Sequence, residues 1–173
     1  MTAIPYIDSY WVVPEKLLAG QYPGGQDDAT TCRRMQSLIK AGIGTIIDLT
    51  MPGDAIFTYA KALAEEAADY ETQIERLNFP ILDYDVPTPE QMKDILDVID
   101  EKLAAGERVY VHCIGGRGRT GTVVGCYLVR HGASGEQALA MIENLRKDTA
   151  NWWKSSPESD AQVDFVKNWS KSA

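Results

Sequence analysis

The segment His112-Cys113-Ile114-Gly115-Gly116-Arg117-Gly118-Arg119-Thr120-Gly121 places a thiol, two guanidinium groups and a hydroxyl on a turn too rich in glycine to be packed core. Before it, Arg108-Val109-Tyr110-Val111 reads as a buried strand; after it, residues 122–130 carry apolar side chains at helical spacing. The decapeptide therefore joins a strand end to a helix start. Such a junction attracts anions, because the amides of the turn and the positive end of the helix dipole converge on one point.

Outward from this segment, helix punctuation is clearest in the second half of the chain. Thr88-Pro89-Glu90-Gln91 combines a capping hydroxyl, a first-turn proline and a glutamine three residues after the cap; Met92, Ile95, Leu96, Ile99 and Leu103 then form one apolar face, closed by Gly106. Ser134-Gly135-Glu136-Gln137 repeats this logic before Ala138, Leu139, Ile142 and Leu145, and Ser156-Pro157 is expected to open a last helix through Phe165, Val166 and Trp169. In the first half the pattern predicts a strand at 17–19, a helix over 28–41 ended by Gly42, a strand at 45–49, an alanine-rich helix over 54–68 and a strand at 76–79. Strands alternating with helices imply an α/β fold: one domain over 1–173, with a central, mostly parallel sheet covered by helices on both faces. Ligands of such sheets lie beyond the carboxyl ends of strands, where both the Cys113 turn and the loop 81–87 fall. No internal repeat, low-complexity tract or linker interrupts the chain.

Composition narrows the function classes. A net charge of −8 argues against nucleic acid and against an anionic membrane surface, so an anionic substrate has to be held locally. No apolar run is long enough to span a bilayer, and Met1-Thr2-Ala3-Ile4-Pro5 lacks the basic and apolar blocks of a signal peptide, which leads us to expect a cytoplasmic protein without membrane insertion. Three cysteines are too few for a disulfide framework; two histidines and no Cys-x-x-Cys offer no zinc site, and no cofactor is expected.

A thiol attacks only as its thiolate, and the amides of the turn, the helix N-terminus and Arg119 all favour negative charge on Cys113. The same donors suit the nonbridging oxygens of a phosphate, with phosphorus in line with the sulfur. Arg119 can grip two phosphoryl oxygens with its planar fork and keep them as they become equatorial in the transition state, which lysine cannot do. Thr120 is placed to hydrogen-bond the sulfur and help it leave. His112 points to the opposite side of the strand and is expected to brace the turn.

Cys113 to Arg119 is a Cys-x5-Arg signature, and with His112, Gly118, Thr120 and Gly121 it resembles the phosphate-binding loop of the cysteine-dependent protein tyrosine phosphatases, the compact length resembling the dual-specificity branch. The resemblance is specific over residues 80–132 and general in layout elsewhere. It implies a phosphoryl group bound by Ile114, Gly115, Gly116, Arg117, Gly118 and Arg119, with a phosphocysteine intermediate. Thirty residues upstream, Asp83-Tyr84-Asp85-Val86-Pro87 is similar to the family's acid-bearing segment, which makes Asp83 the general acid; Asp85 stands where glycine is usual and is the second candidate. Glu158-Ser159-Asp160-Ala161-Gln162 resembles a segment that orients hydrolytic water, through Gln162.

Elsewhere bland readings prevail. Cys126 belongs to the core, Cys32 to an ordinary helix, Arg33 and Arg34 to a solvated helix face, and His131 to a helix C-terminus. Trp152-Trp153 is expected to clasp the last two helices. For substrate, the first reading is a phosphotyrosine or other phosphoprotein; the second, an inositol phosphate or phosphoinositide, rests on Arg117, because relatives acting on phosphoinositides often carry a basic residue there. Ile114 lacks the second basic charge those enzymes commonly show. A phosphate-binding module without turnover is the third reading.

Overall fold

The computed structural model describes residues 3–55 and 57–170. The opening Met1-Thr2 and residue 56 of the expected helix 54–68 lie outside them. A five-stranded sheet has the order β1-β2-β5-β3-β4, from β1 (Ser9–Val13), β2 (Leu17–Gly20), β3 (Ile43–Asp48), β4 (Glu75–Asn78) and β5 (Arg108–His112). The β1–β2 pair is antiparallel; the other pairs are parallel. Helices α1 (Asp28–Lys40) and α2 (Ala60–Asp69) cover one face, while α3 (Pro89–Ala104), α4 (Gly118–Arg130), α5 (Gly135–Leu145) and α6 (Asp160–Lys167) pack on the other. The expected α/β architecture is thus present, and β5 is its centre.

Period-two alternation along β5 decides which side each residue serves. Val109 and Val111 join the core under α3 to α6, Tyr110 joins the core under α1 and α2, and Cys113, one residue past the strand, falls on the valine side. His112 is opposite Gly20 on β2 and Asp48 on β3, so the strand ends of β2, β3 and β5 are level. The decapeptide leaves the sheet at that common edge.

Helix starts follow the sequence where a capping residue is local. Asp27 accepts from Thr30 N, Thr88 from Gln91 N, and Ser134 forms a reciprocal capping box with Gln137. A cap of this type contributes about 1 kcal/mol. Four details depart from the sequence reading. Ser9–Val13 is an additional edge strand whose Tyr10 and Val12 are buried on one face. Helix α2 starts at Ala60 instead of 54, because Asp54 closes a turn on Met51, its backbone N–H donating to the Met51 carbonyl and its carboxylate accepting from the Met51 N–H. The last helix starts after a Ser159–Gln162 capping box; Ser156 instead donates to the Arg117 carbonyl at 2.8 Å. Trp152 and Trp153 form no clasp, being 60% and 67% exposed, and Phe165 stacks on Trp169 instead.

Candidate active site

Residues 113–117 form the turn between β5 and α4, and none of the N–H groups of residues 114–119 donates to an acceptor among the described residues. A helix start supplies unpaired amides by construction, and here the preceding turn extends the row. Its carbonyls, by contrast, are taken: Tyr22 N donates to Ile114 O at 3.0 Å, Asn151 Nδ2 to Gly115 O at 3.4 Å, and Ser156 Oγ and Gly121 N to Arg117 O. The carbonyls of residues 114, 115 and 117 are thus engaged, while the amides of the turn have no acceptor among the described residues. Gly116 makes the turn possible, with φ of 66° and its backbone so close to β2 that a Cβ would lie 2.5 Å from the Gly20 carbonyl carbon. Gly121 allows α4 to approach the 155–158 segment, since a Cβ there would meet Ser156 Oγ at 2.3 Å.

Within this turn Cys113 is buried, and the Thr120 hydroxyl donates to its Sγ at 3.1 Å. Arg119, 1% exposed, spreads its guanidinium between two loops. Nη1 donates to Asp54 at 2.5 Å and to the Ile81 carbonyl at 2.9 Å, and Nη2 lies 3.1 Å from Asp83 Oδ1. Its Nε–H is buried with no acceptor among the described residues, a donor that a phosphoryl oxygen would satisfy. Asp83 keeps half its side chain exposed and accepts from Tyr84 N at 3.2 Å, while the Asp85 carboxylate accepts from Val86 N at 2.8 Å and does not reach Arg119 among the described residues.

His112 braces the turn from behind. The Cys113 carbonyl can only accept, so His112 Nδ1 carries the proton it donates there at 3.1 Å, and Nε2 accepts from the Tyr59 hydroxyl at 2.8 Å. Arg76 Nε donates to Tyr59 Oη and its Nη2 to Asp48, while Asp48 also accepts from the Thr50 amide and hydroxyl. Burial pushes His112 down to about 4, against the pull of Asp48, so the ring is neutral and its 3.9 Å approach to Asp48 is not an ion pair. Burial alone would raise Asp48, but the hydrogen bonds from Thr50 and Arg76 hold its carboxyl below the usual range.

A stability effect follows. Between pH 6.5 and 4 the unfolded chain binds a proton at position 112 that the folded chain refuses, so stability falls on acidification through that window, by up to about 3 kcal/mol. Asp48, with its lowered value, adds a loss only below the window, as pH falls through its folded value. Urea midpoints measured at pH 7, 5.5 and 4 are expected to fall, and His112→Gln is expected to flatten the slope between 6.5 and 4. An unchanged slope in the variant would remove His112 as the cause.

Residues 8–168 match the family described as PTP-SAK, the Swiss Army Knife DSP-PTPase phosphatase domain. The chain belongs to this family. It is a phosphatase domain of the protein-tyrosine-phosphatase type, a phosphoric monoester hydrolase. It is 35% identical over 106 residues to the uncharacterised protein MJECL20 of Methanocaldococcus jannaschii, covering 61% of this chain and 67% of that one. To the Arabidopsis thaliana protein named phosphatidylinositol 3,4,5-trisphosphate 3-phosphatase and protein-tyrosine-phosphatase PTEN1 it is 29% identical over 165 residues, 91% of this chain. The chain spans only 36% of that protein's length. In fold it is similar to Tk-PTP in its active form, with a TM-score of 0.74 at 20% identity over 97% of this chain and 99% of the other.

In the phosphatase domain the remaining expected residues have definite places. Arg117 does not reach into the opening unopposed: its guanidinium pairs with Glu158 and approaches the Ser155 carbonyl. Gln162 is fully buried and its amide is hydrogen-bonded at both its oxygen and its nitrogen. Oε1 accepts from the amides of Glu158 and Ser159, and Nε2 donates to the Asp85 carbonyl at 3.1 Å. With Ser159 Oγ donating to the Tyr84 carbonyl, Gln162 ties the acid loop to the start of α6. Asp54 is a site residue the sequence reading missed. Its signal was Pro52-Gly53-Asp54 directly after β3, a turn at the carboxyl end of a parallel strand. Arg34, expected to be solvated, donates to the carbonyls of Tyr22 and Gly24 and so shapes the wall of a cleft of about 790 Å³ beside Ile114, which Asp54 and Phe57 also line.

Proposed function

We propose that this domain hydrolyses phosphomonoesters without a metal ion, through a phosphocysteine on Cys113, with phosphotyrosine and other phosphoprotein side chains as its substrates. The observation that carries the reading is the meeting of Cys113 Sγ, the unpaired amides of residues 114–119 and the unpaired Nε–H of Arg119 at the start of α4. The sulfur attacks phosphorus as the ester P–O bond breaks, and Asp83 gives its proton to the departing oxygen. In the second step water attacks the phosphocysteine, Asp83 takes the water's proton, and the S–P bond breaks with Thr120 donating to the returning thiolate. Arg119 holds the equatorial oxygens, itself held by Asp54.

Exposed Leu82 and Tyr84 flank Asp83, and exposed Trp152 follows Asn151, whose amide touches the turn; these apolar surfaces suit the peptide around a phosphorylated side chain. The inositol phosphate reading is favoured by Arg117 and by the name of the plant relative, but Glu158 already occupies that cation. We place the domain in the cytoplasm. Its thiols at Cys32, Cys113 and Cys126 are all free, and among the described residues no helix is long and apolar enough to cross a membrane.

Turnover is to be compared, with chelator present, on matched phosphotyrosine, phosphoserine and phosphothreonine peptides and on phosphoinositide vesicles. The phosphotyrosine peptide is expected to be preferred by about tenfold or more. Preference for the vesicles selects the second reading. Loss of activity with chelator overturns the metal-free mechanism, and phosphate binding without turnover of any substrate selects the binding module.

A further inference from the structure

The Arg117 guanidinium is the cation that a second anionic group on a substrate would meet at the rim of the turn, and the fold has already given it a carboxylate. Arg117 Nη2 pairs with Glu158 Oε1, with only 16% and 20% of the two side chains exposed. Glu158 lies against the first turn of α4, where a Cβ on Gly118 would sit 3.1 Å from its Oε2. Its position is built: its own N–H donates to the buried Gln162 amide, and the next residue, Ser159, caps α6. A pair this shielded from water interacts more strongly than an exposed one, and a charge-assisted hydrogen bond adds to it.

Both guanidinium groups of the turn itself have carboxylate partners, Glu158 for Arg117 and the pair Asp54 and Asp83 for Arg119. Arg119 is committed to the phosphoryl group that reacts. A substrate whose second phosphate falls at Arg117 therefore has to displace Glu158 or lie beside it, like charge against like charge.

We propose that Glu158 is a specificity-determining residue: an internal competitor that neutralises Arg117 and makes the site discriminate against substrates carrying a second phosphate next to the one hydrolysed. The proposal rests on the phosphoryl-transfer reading of the Cys113 site and narrows its substrate class to monophosphorylated groups. Glu158→Gln keeps the size of the side chain and an oxygen for Arg117 but removes the charge, which leaves Arg117 available to the second phosphate.

The test uses phenyl phosphate and 1,3-phenylene bisphosphate, which both release a phenol and differ in the second phosphate that the latter's leaving group carries. The ratio of kcat/KM for the bisphosphate over the monophosphate is expected to rise about tenfold in Glu158→Gln, the size of effect a charged hydrogen bond carries. In the double variant Arg117→Met/Glu158→Gln the gain is expected to vanish. An unchanged ratio in Glu158→Gln overturns the proposal, as does a gain that survives the loss of Arg117. The same two ligands are also titrated calorimetrically into Cys113→Ser protein with and without Glu158→Gln, where the affinity ratio is expected to move in the same way. Failure of the wild type to hydrolyse phenyl phosphate counts against the proposed function alone, since the affinity ratio then still decides the role of Glu158.

Discussion

Cys113→Ser is expected to hydrolyse aryl phosphates at least about 10⁴-fold more slowly than the wild type while still binding phosphate or vanadate. The loss follows from what surrounds the sulfur. A serine hydroxyl needs a base within hydrogen-bond distance to become a nucleophile, and among the described residues position 113 has none: His112 lies on the other face of β5 with Nδ1–H committed to the Cys113 carbonyl and Nε2 committed to Tyr59. Thr120, the side chain within hydrogen-bond distance of the sulfur, is a donor in that contact and cannot serve as the base. Binding survives because the amides of residues 114–119 and the Arg119 fork are untouched by the substitution. The measurement is steady-state release of phenol with chelator present, beside a vanadate titration. Activity in the serine variant within tenfold of the wild type would falsify the covalent reading of Cys113.

How much of this site the sequence shows depends on how far apart its parts lie along the chain. The turn, its glycines and Arg119 are contiguous, so their joint chemistry is legible from residue types and spacing alone. Capping is legible for the same reason, as at Thr88 and Ser134, where donor and acceptor are three residues apart. Asp54 is not, because its partner Arg119 is sixty-five residues away and the alanine-rich stretch after Asp54 suggests a helix beginning too early. Gln162 is legible only in part. Its position resembles a water-orienting residue, and what the sequence does not show is that the side chain also holds the backbone of its own cap and the acid loop while lying against Gly118. The Arg117–Glu158 pair spans forty-one residues, and nothing local in either segment announces it. The edge strand β1 is legible only in hindsight, since five residues between two prolines carry little periodicity until Gly20 and Leu17 give them a partner.

Asp83→Asn is expected to lower kcat by about 10²–10⁴ on phenyl phosphate and by much less on an ester whose leaving oxygen departs without a proton, such as one of dinitrophenol. The argument is positional. Three aspartates are to be told apart as the acid, and their contacts separate their roles. Asp54 accepts both from Arg119 at 2.5 Å and from the Met51 amide at 2.9 Å, so it is held as a brace for the guanidinium. Asp85 accepts from Val86 N, its carbonyl is tied to Gln162, and among the described residues its carboxylate has no contact with Arg119. Asp83 accepts from the Tyr84 N–H at 3.2 Å but also meets Arg119, and it keeps 54% of its side chain exposed where Asp54 keeps only 20%. Asparagine preserves the contact with Arg119 and the size of the side chain but has no proton to give and cannot take one from water. Dependence on the leaving group therefore separates a lost acid from a distorted loop, since distortion slows good and poor esters alike. Asp85→Asn is expected to stay within about threefold of the wild type on both esters, as for a surface carboxylate outside the reaction. If Asp85→Asn shows the leaving-group dependence and Asp83→Asn does not, the acid is Asp85, and the loop closes on substrate in an arrangement different from the one in which Asp83 meets Arg119.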